Sequence, residues 1–137
     1  MLLAIDSDVL IAALSPHEEH SVQAQKLIRD IASGKYKAVS SSLVYGEVLG
    51  VSKSREPVDL ANFVEQIRNM STAPCDDDVC LKAGELRLQH DGGLRLPDAI
   101  HLVTAIKSKA DLFITNDVRL AKKANKHIPT KLLSEWI

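Results

Sequence analysis

The chain has 137 residues, of which 45% are hydrophobic and 26% are charged, and its formal net charge is -1. We expect one domain over 1–137, because two domains would each approach the size at which a hydrophobic core becomes marginal. The high apolar content and low net charge exclude a disordered chain. The balanced charge also excludes a protein that holds nucleic acid mainly by a strong basic field, but it is compatible with an enzyme that meets nucleic acid transiently.

Membrane attachment and disulfide scaffolds are not expected. No apolar run approaches the roughly 20 residues that a bilayer span needs, and Asp6 and Asp8 interrupt the apolar opening segment. That segment also lacks a basic leader, so we predict a cytoplasmic protein with no membrane partner. Cys75 and Cys80 are too few for a disulfide framework or a four-ligand zinc site, and we expect them to be buried, reduced thiols.

In the first half of the chain, short apolar runs alternate with helical patterns. The apolar run Leu2–Ile5 is typical of a strand buried on both faces. The predicted elements that follow are a helix from Ser7 or Asp8 to about Leu14, a helix opened by Ser15–Glu18 and closed by Gly34, and a strand over 37–40. After them come a helix from Ser42 to about Val51, a helix starting near Pro57 and a possible strand over 72–75. The helix that starts near Pro57 has an apolar stripe at Leu60, Phe63, Val64 and Ile67.

The second half continues the alternation. The predicted elements are a helix that begins at 76–78 and ends at 92–93, a helix opened by Pro97 with an apolar stripe at Ala99, Leu102, Val103 and Ile106, a strand over 112–115, a short basic helix over 118–125 and a possible strand over 131–133. Strands separated by helices favour an α/β fold with three α/β/α layers and a parallel sheet covered on both faces.

Two acidic residues lie at or just beyond the ends of predicted strands. Asp6 comes after the apolar run LLAI, and Asp117 comes two residues after LFIT. Open α/β sheets bind ligands outside the carboxyl ends of their strands, so both positions are candidate site residues. Each also has a simpler interpretation, because Asp6 or Asp8, and Asn116 or Asp117, could cap the helix that follows.

Glu47 and Asp98 are predicted to lie on helices. The residues three or four positions from Glu47 are apolar or glycine, so its carboxylate points into the buried stripe with no basic partner on its own helix. Burial of a carboxylate costs several kcal/mol unless it is paired, protonated or bound to metal, so we expect either an ion pair with a distant lysine or arginine or a functional site. Asp98 lies in a first helical turn, where the dipole favours an acid, and at the rim of the apolar stripe.

The combination of Asp6, Glu47, Asp98 and Asp117 is more specific than any one of them. If the four carboxylates meet at one rim of the sheet, they repel one another unless some are protonated or a cation is bound. Mg²⁺ prefers carboxylate and water oxygens. A metal held there could activate a water and stabilise the oxyanion that develops in phosphodiester cleavage.

Four segments of the chain resemble the PIN domain, a family of metal-dependent ribonucleases. The matching pieces are LLAIDSDVLIAAL, SSSLVYGEVLG, LPDAIHLVTAI and LFITNDVRL, which occur in the order typical of the family and span nearly the whole chain. The similarity is greatest to small single-domain members, notably the VapC-type toxins of prokaryotic toxin–antitoxin pairs.

The resemblance implies a five-stranded parallel sheet and an acidic quartet, Asp6, Glu47, Asp98 and Asp117, that is both catalytic and metal-binding. The implied cofactor is Mg²⁺ or Mn²⁺, the substrate is RNA, and the partners are a cognate antitoxin and a second copy of the chain in a homodimer. Family members often carry Asn at the position of Asp8, which here adds a negative group near the pocket. The supporting residues that the resemblance suggests are Ser7, Asp8, Thr115 and Asn116.

Two other functions fit part of the sequence. Ile5–Asp8 resembles the D-x-D start of haloacid-dehalogenase-type phosphatases, in which Asp6 would be a covalent nucleophile, but Val9–Leu10 stands where Gly-Thr is usual, and Glu47 stays unexplained. An inactive PIN-like interaction module is the other alternative. His101 is predicted to be a solvated surface residue outside the catalytic set, and a nucleotide-binding Rossmann domain is disfavoured because no glycine-rich phosphate motif occurs.

Overall fold

The computed structural model describes the backbone of residues 1–51 and 57–136, and the side chains of these residues except 51 and 57–61. The strands in these ranges are β1 (Leu2–Ile5), β2 (Lys37–Ser41), β3 (Met70–Ala73), β4 (Leu112–Thr115) and β5 (Thr130–Leu132). The helices are α1 (Ser7–Leu14), α2 (Ser21–Ala32), α3 (Leu43–Val51), α4 (Pro57–Gln66), α5 (Asp77–Gln89), α6 (Leu96–Lys107) and α7 (Val118–Ala124), followed by a 3-10 turn (Leu133–Glu135).

The strands form one sheet in the order β3-β2-β1-β4-β5, and every neighbouring pair is parallel. This arrangement confirms the predicted parallel five-stranded sheet. β1 lies at its centre, where Leu3 is opposite Ala38 of β2 and Leu112 of β4. The segments that follow β1 and β4 therefore leave the sheet side by side at its carboxyl edge.

Helices cover both faces of the sheet, which confirms the three-layer α/β/α architecture. Successive residues of β1 point to opposite layers. Leu3 and Ile5 pack with α1, α2, α3 and α4, whereas Ala4 packs with α5, α6 and α7. Because both faces of β1 and β4 are covered, β1 is a continuous apolar run and β4 is apolar up to Thr115, and the predicted bounds of both agree with the structure.

The start of α2 differs from the prediction. The segment Ser15–His20 forms turns, with hydrogen bonds from Glu18 N to Ser15 O and from Ser21 N to Glu18 O. His20 has a φ of 64°, in the left-handed region that a right-handed helix cannot include. The helix consequently begins at Ser21 and not at Ser15.

The buried surface of α6 is wider than the predicted stripe. Ile106 is 43% exposed, whereas Ile100 and Ala105, outside that stripe, are buried. The reason is that α6 contacts α5 as well as β1, β2 and β4, so more than one face of the helix is covered. The stripe predicted for α4 is buried at Val64 and at Ile67, which directly follows the helix, while the side chain of Leu60 lies outside the described residues.

The cysteines are free thiols, as expected, but they are not buried. Cys75 is half-buried before α5, and Cys80 is exposed on that helix, with 3.8 Å between their sulfur atoms. The prediction of burial was wrong because the apolar side of α5 is formed by Val79, Ala83 and Leu86. None of the helices in the described parts of the chain is both long enough and apolar enough to cross a bilayer.

Candidate metal centre

Asp6 is the innermost carboxyl group at the carboxyl edge of the sheet. It follows β1, its residue exposure is 4%, and its backbone N–H donates to Ile114 O of β4. Its Oδ1 accepts from Ser7 N at 2.8 Å, which caps α1, and its Oδ2 accepts from the Thr115 hydroxyl at 2.8 Å. The capping interpretation therefore holds for one oxygen, while the other is held by the neighbouring strand.

The pKa of Asp6 is raised above its ordinary value. Burial is the largest cause, and the negative charges of Asp98 and Glu47 add to it. His101 and the Thr115 hydroxyl act in the opposite direction but do not cancel the effect. The surroundings of Asp6 therefore disfavour its ionised form.

Asp8 belongs with Asp6 and Glu47 to a group of neighbouring carboxyl groups that we call the acidic cluster. Both of its carboxyl oxygens lie 3.1 Å from Asn116 N, and Oδ2 lies 3.2 Å from the Thr115 hydroxyl. Burial, followed by the charge of Asp6, raises the pKa of Asp8 to about 8. Asp8 thus connects α1 to the end of β4 and to the segment that follows it.

Glu47 has a partner from another helix. Its Oε1 lies 2.5 Å from Nε2 of His101, on α6, and its side chain is 29% exposed. Burial opposes ionisation of Glu47, but the hydrogen bond and charge of His101 outweigh it, with a smaller contribution from the Ser7 hydroxyl, so the pKa of Glu47 is lowered. The predicted distant partner exists, and it is a histidine and not a lysine or arginine.

His101 is buried inside the acidic cluster, so the prediction of a solvated surface histidine was wrong. The side chain is 2% exposed, and Nε2 lies 3.8 Å from Oδ1 of Asp6 in addition to its contact with Glu47. Burial disfavours the charged imidazole, but Glu47 and Asp6 together raise the pKa of His101. Its Nδ1 is buried without a hydrogen-bond partner in the described structure.

Asp98 and Asp117 lie further out. Asp98, with a side chain 14% exposed, accepts from Arg95 Nε at 3.1 Å. Asp117 caps α7, where its Oδ1 accepts from Arg119 N at 2.9 Å and from Leu120 N at 3.2 Å. Both acids line one cavity of about 150 Å³.

The remaining predicted supporting residues lie at the edge of this cluster. Ser7 is buried at the first position of α1. Asn116 contributes its backbone N–H to Asp8, but its side-chain amide donates to Glu19 O, away from the acids. Thr115 is fully buried, and its hydroxyl oxygen also accepts from Asp117 N at 3.1 Å.

The donor chemistry of the cluster fits a hard divalent cation, although no preformed chelate is present. Among the described side chains, no three acidic, histidine or cysteine groups converge closely enough to hold one ion. Glu47 instead contacts His101, and Asp98 contacts Arg95. Burial and the neighbouring negative charges nevertheless raise the pKa of Asp6, and a bound cation would relieve that repulsion.

The chain is an α/β protein with a parallel sheet, and acidic residues lie at the carboxyl edge of that sheet. The family model of the PIN domain matches residues 3–126, and the chain belongs to the PIN domain family. No curated protein sequence matches the chain.

Several solved structures share the fold. VapC20 from Mycobacterium tuberculosis, described as a Sarcin-Ricin loop cleaving toxin, is 17% identical with a TM-score of 0.72, covering 89% of this chain and 94% of that chain. A chain of VapBC2 from Rickettsia felis, bound to a promoter DNA fragment, is 19% identical with a TM-score of 0.68, covering 96% and 98%. A chain of VapBC-1 from nontypeable Haemophilus influenzae is 17% identical with a TM-score of 0.68, covering 98% and 100%.

Proposed function

We propose that this protein is a metal-dependent endoribonuclease and the toxin of a VapBC-type toxin–antitoxin pair. The observation that carries the proposal is the environment of Asp6, a buried carboxyl group with a raised pKa beside Glu47 and Asp98. In a member of the PIN domain family, a bound divalent cation is the simplest reason for retaining such unfavourable charge.

Mg²⁺ or Mn²⁺ would be held by Asp6, Glu47, Asp98 and Asp117, and would supply water activation and stabilisation of charge on the scissile phosphate. The protein's own residues hold these ligands in place. The Thr115 hydroxyl donates to Asp6, and His101 restrains Glu47. Because Asp6 directly follows β1 and Thr115 is the last residue of the neighbouring β4, their separation is set by the sheet.

The proposed partners are RNA, a cognate antitoxin and a second copy of the chain. Support for RNA comes from the fold shared with VapC20, and support for an antitoxin comes from the fold shared with chains of VapBC complexes. A homodimer agrees with the general preference of oligomers for closed two-fold symmetry.

A phosphatase with Asp6 as nucleophile is less well supported. Asp6 uses one oxygen to cap α1 and the other to accept from Thr115, and its raised pKa lowers its nucleophilic fraction. The phosphatase alternative also gives no role to Glu47. The PIN domain match places the chain in a different family.

The test is cleavage of a fluorogenic single-stranded RNA with Mg²⁺ or Mn²⁺, repeated with excess EDTA. We expect cleavage by the wild-type protein only with metal, and none by Asp6→Asn. Asp91→Asn is the matched control, because Asp91 is an exposed residue with a φ of 53°, which asparagine tolerates. Metal binding without cleavage, or no metal binding at all, would favour the inactive module, and a phosphoenzyme on Asp6 would favour the phosphatase.

A further inference from the structure

A small basic cavity adjoins the acidic cluster. The 150 Å³ cavity that contains Asp98 and Asp117 is also lined by three cationic side chains, those of Arg95, Arg119 and Lys123. It lies between the segment that precedes α6 and the first turns of α7. Acidic and cationic side chains therefore line the same cavity.

The three cations are compensated to different degrees. Arg95 forms an ion pair with Asp98. Lys123 Nζ donates to the backbone carbonyl of Gly93, a contact that satisfies a hydrogen bond but leaves the positive charge unneutralised. Within the described parts of the chain, the exposed guanidinium of Arg119 takes part in no ion pair. Arg119 and Lys123 thus present positive charge without an acidic partner.

Other basic residues are less suited to contact a polyanion near the acids. Lys107 pairs with Asp76 and Asp78, and Lys82 also pairs with Asp78, so these charges are already offset. Lys122 is on α7 but lines a separate cavity against β5. Position and lack of an acidic partner together single out Arg119 and Lys123.

We propose that Arg119 and Lys123 bind a backbone phosphate of the RNA, next to the phosphate at which the strand is cleaved. This inference rests on the proposed function and names the substrate contacts of the same site. The acidic cluster repels a nucleic acid strand, and cations beside it offset that repulsion. A contact to the phosphate positions the strand without reading its sequence.

The test compares Arg119→Gln with Lys122→Gln, which remove one positive charge each from the same helix. Binding of a fluorescein-labelled single-stranded RNA is measured by anisotropy in EDTA over a KCl series, where no metal supports cleavage. We expect Arg119→Gln to weaken binding about 3- to 10-fold at low salt, as for loss of an exposed charge contact. The slope of log affinity against log salt should become shallower by about 0.7. Lys122→Gln should change neither quantity by as much.

Equal effects of the two substitutions, or no measurable RNA binding by the wild-type protein, would overturn the inference. A parallel cleavage assay with Mn²⁺ separates this result from the proposed function. Cleavage by the wild-type protein with kcat/KM equal in both variants would overturn the phosphate contact alone. Absence of wild-type cleavage together with a selective loss of binding in Arg119→Gln would overturn the nuclease and retain the RNA contact. Melting temperatures of both variants check that the fold is unchanged.

Discussion

Nε2 of His101 lies 2.5 Å from Oε1 of Glu47, although the two residues are 54 positions apart. The contact joins α3 to α6 across the carboxyl edge of the sheet, and the same nitrogen lies 3.8 Å from Oδ1 of Asp6. A buried imidazole is thus placed between two carboxyl groups of the proposed metal centre. The two carboxyl groups favour the protonated imidazole and raise the pKa of His101, and His101 in turn lowers the pKa of Glu47.

Asp98→Asn should abolish metal-dependent RNA cleavage while leaving the metal-free protein as stable as wild type or more stable. The amide removes one of several crowded charges without opening a cavity, and the ion pair that is lost involves Arg95, whose side chain is 77% exposed, so it contributes little. A metal ion present at a concentration of about 100 times its dissociation constant adds roughly 2.7 kcal/mol to the free energy of unfolding. Mn²⁺ should therefore raise the melting temperature of wild type more than that of the variant.

If Asp98 served only the helix dipole, the metal-free variant would be less stable, with an unchanged metal response and intact cleavage. Melting curves recorded with and without Mn²⁺ distinguish the two cases. Equal metal-induced shifts in wild type and Asp98→Asn would remove Asp98 from the metal centre.

His101→Leu should destabilise the metal-free protein by about 1–3 kcal/mol, because it removes the imidazole nitrogen that contacts Glu47 and faces Asp6. Mn²⁺ should recover part of this loss by supplying positive charge to the same carboxyl groups. His101→Gln, which retains a side-chain N–H donor, is the matched variant and should be less affected. Urea denaturation with EDTA or Mn²⁺ measures both effects, and a loss that Mn²⁺ does not reduce would indicate a packing role alone.

Thr115→Val should lower both stability and cleavage. Thr115 is fully buried, and its hydroxyl group donates to Asp6 and accepts from Asp117 N. Valine has nearly the same shape, so the loss of about 1–3 kcal/mol would report the unsatisfied polar groups. Thr115→Ser retains the hydroxyl group and should retain most of the cleavage activity; equal cleavage by the valine and serine variants would exclude a positioning role for the hydroxyl group.

Asp30 provides a pH-dependent prediction away from the site. Its Oδ2 accepts from Lys26 Nζ at 2.9 Å and from Trp136 Nε1 at 3.1 Å. The Lys26 hydrogen bond is the main cause of a lowered pKa, burial opposes it, and the Trp136 hydrogen bond adds to it. Because the unfolded carboxyl has a pKa of about 3.9, the stabilisation is complete above that pH and is lost as the pH falls through the lower pKa of the folded state.

Asp30→Asn should therefore reduce the free energy of unfolding at pH 7 by no more than about 1 kcal/mol, as expected for a partly exposed ion pair. The difference from wild type should diminish as the pH is lowered below about 4, where Asp30 is protonated first in the unfolded state and, at lower pH, in the folded state. Urea denaturation at a series of pH values measures the difference. A gap that stays constant across this range would contradict the assignment to ionised Asp30.

The proposed antitoxin should inhibit RNA cleavage by covering the acidic cluster, with a basic side chain offsetting the carboxyl charges. A small DNA-binding protein encoded immediately upstream would be the candidate, and co-purification followed by a cleavage assay tests it. An inhibited complex in which the antitoxin leaves the solvent-facing sides of Glu47, Asp98 and Asp117 uncovered would contradict this mode of inhibition.

Light scattering of the protein alone at tens of micromolar should show a dimer, since assembly depends on concentration. A monomer throughout that range would contradict the homodimer. This outcome would leave the nuclease proposal unaffected.

Local patterns in the sequence were sufficient for much of the fold. β1 and β4 were predicted with their observed bounds because a strand covered on both faces must be a continuous apolar run. The start of α2 was missed because the left-handed conformation of His20 has no clear sequence signal. Ile106 was assigned to a buried stripe because periodicity identifies an apolar face but does not show how many elements cover a helix.

The sequence by itself determined the alternation of strands and helices, and with it the placement of Asp6 and Asp117 after strands that end at one edge. Only the tertiary structure decided what each acid touches. His101 was misjudged because its position three residues after Asp98 marks it as lying off the apolar stripe. In the folded chain it is nevertheless buried, beside Glu47 of α3 and Asp6 at the carboxyl edge of the sheet. Contacts such as Glu47–His101 depend on the order of strands in the sheet, and that order joins residues whose separation along the chain carries no periodic signal.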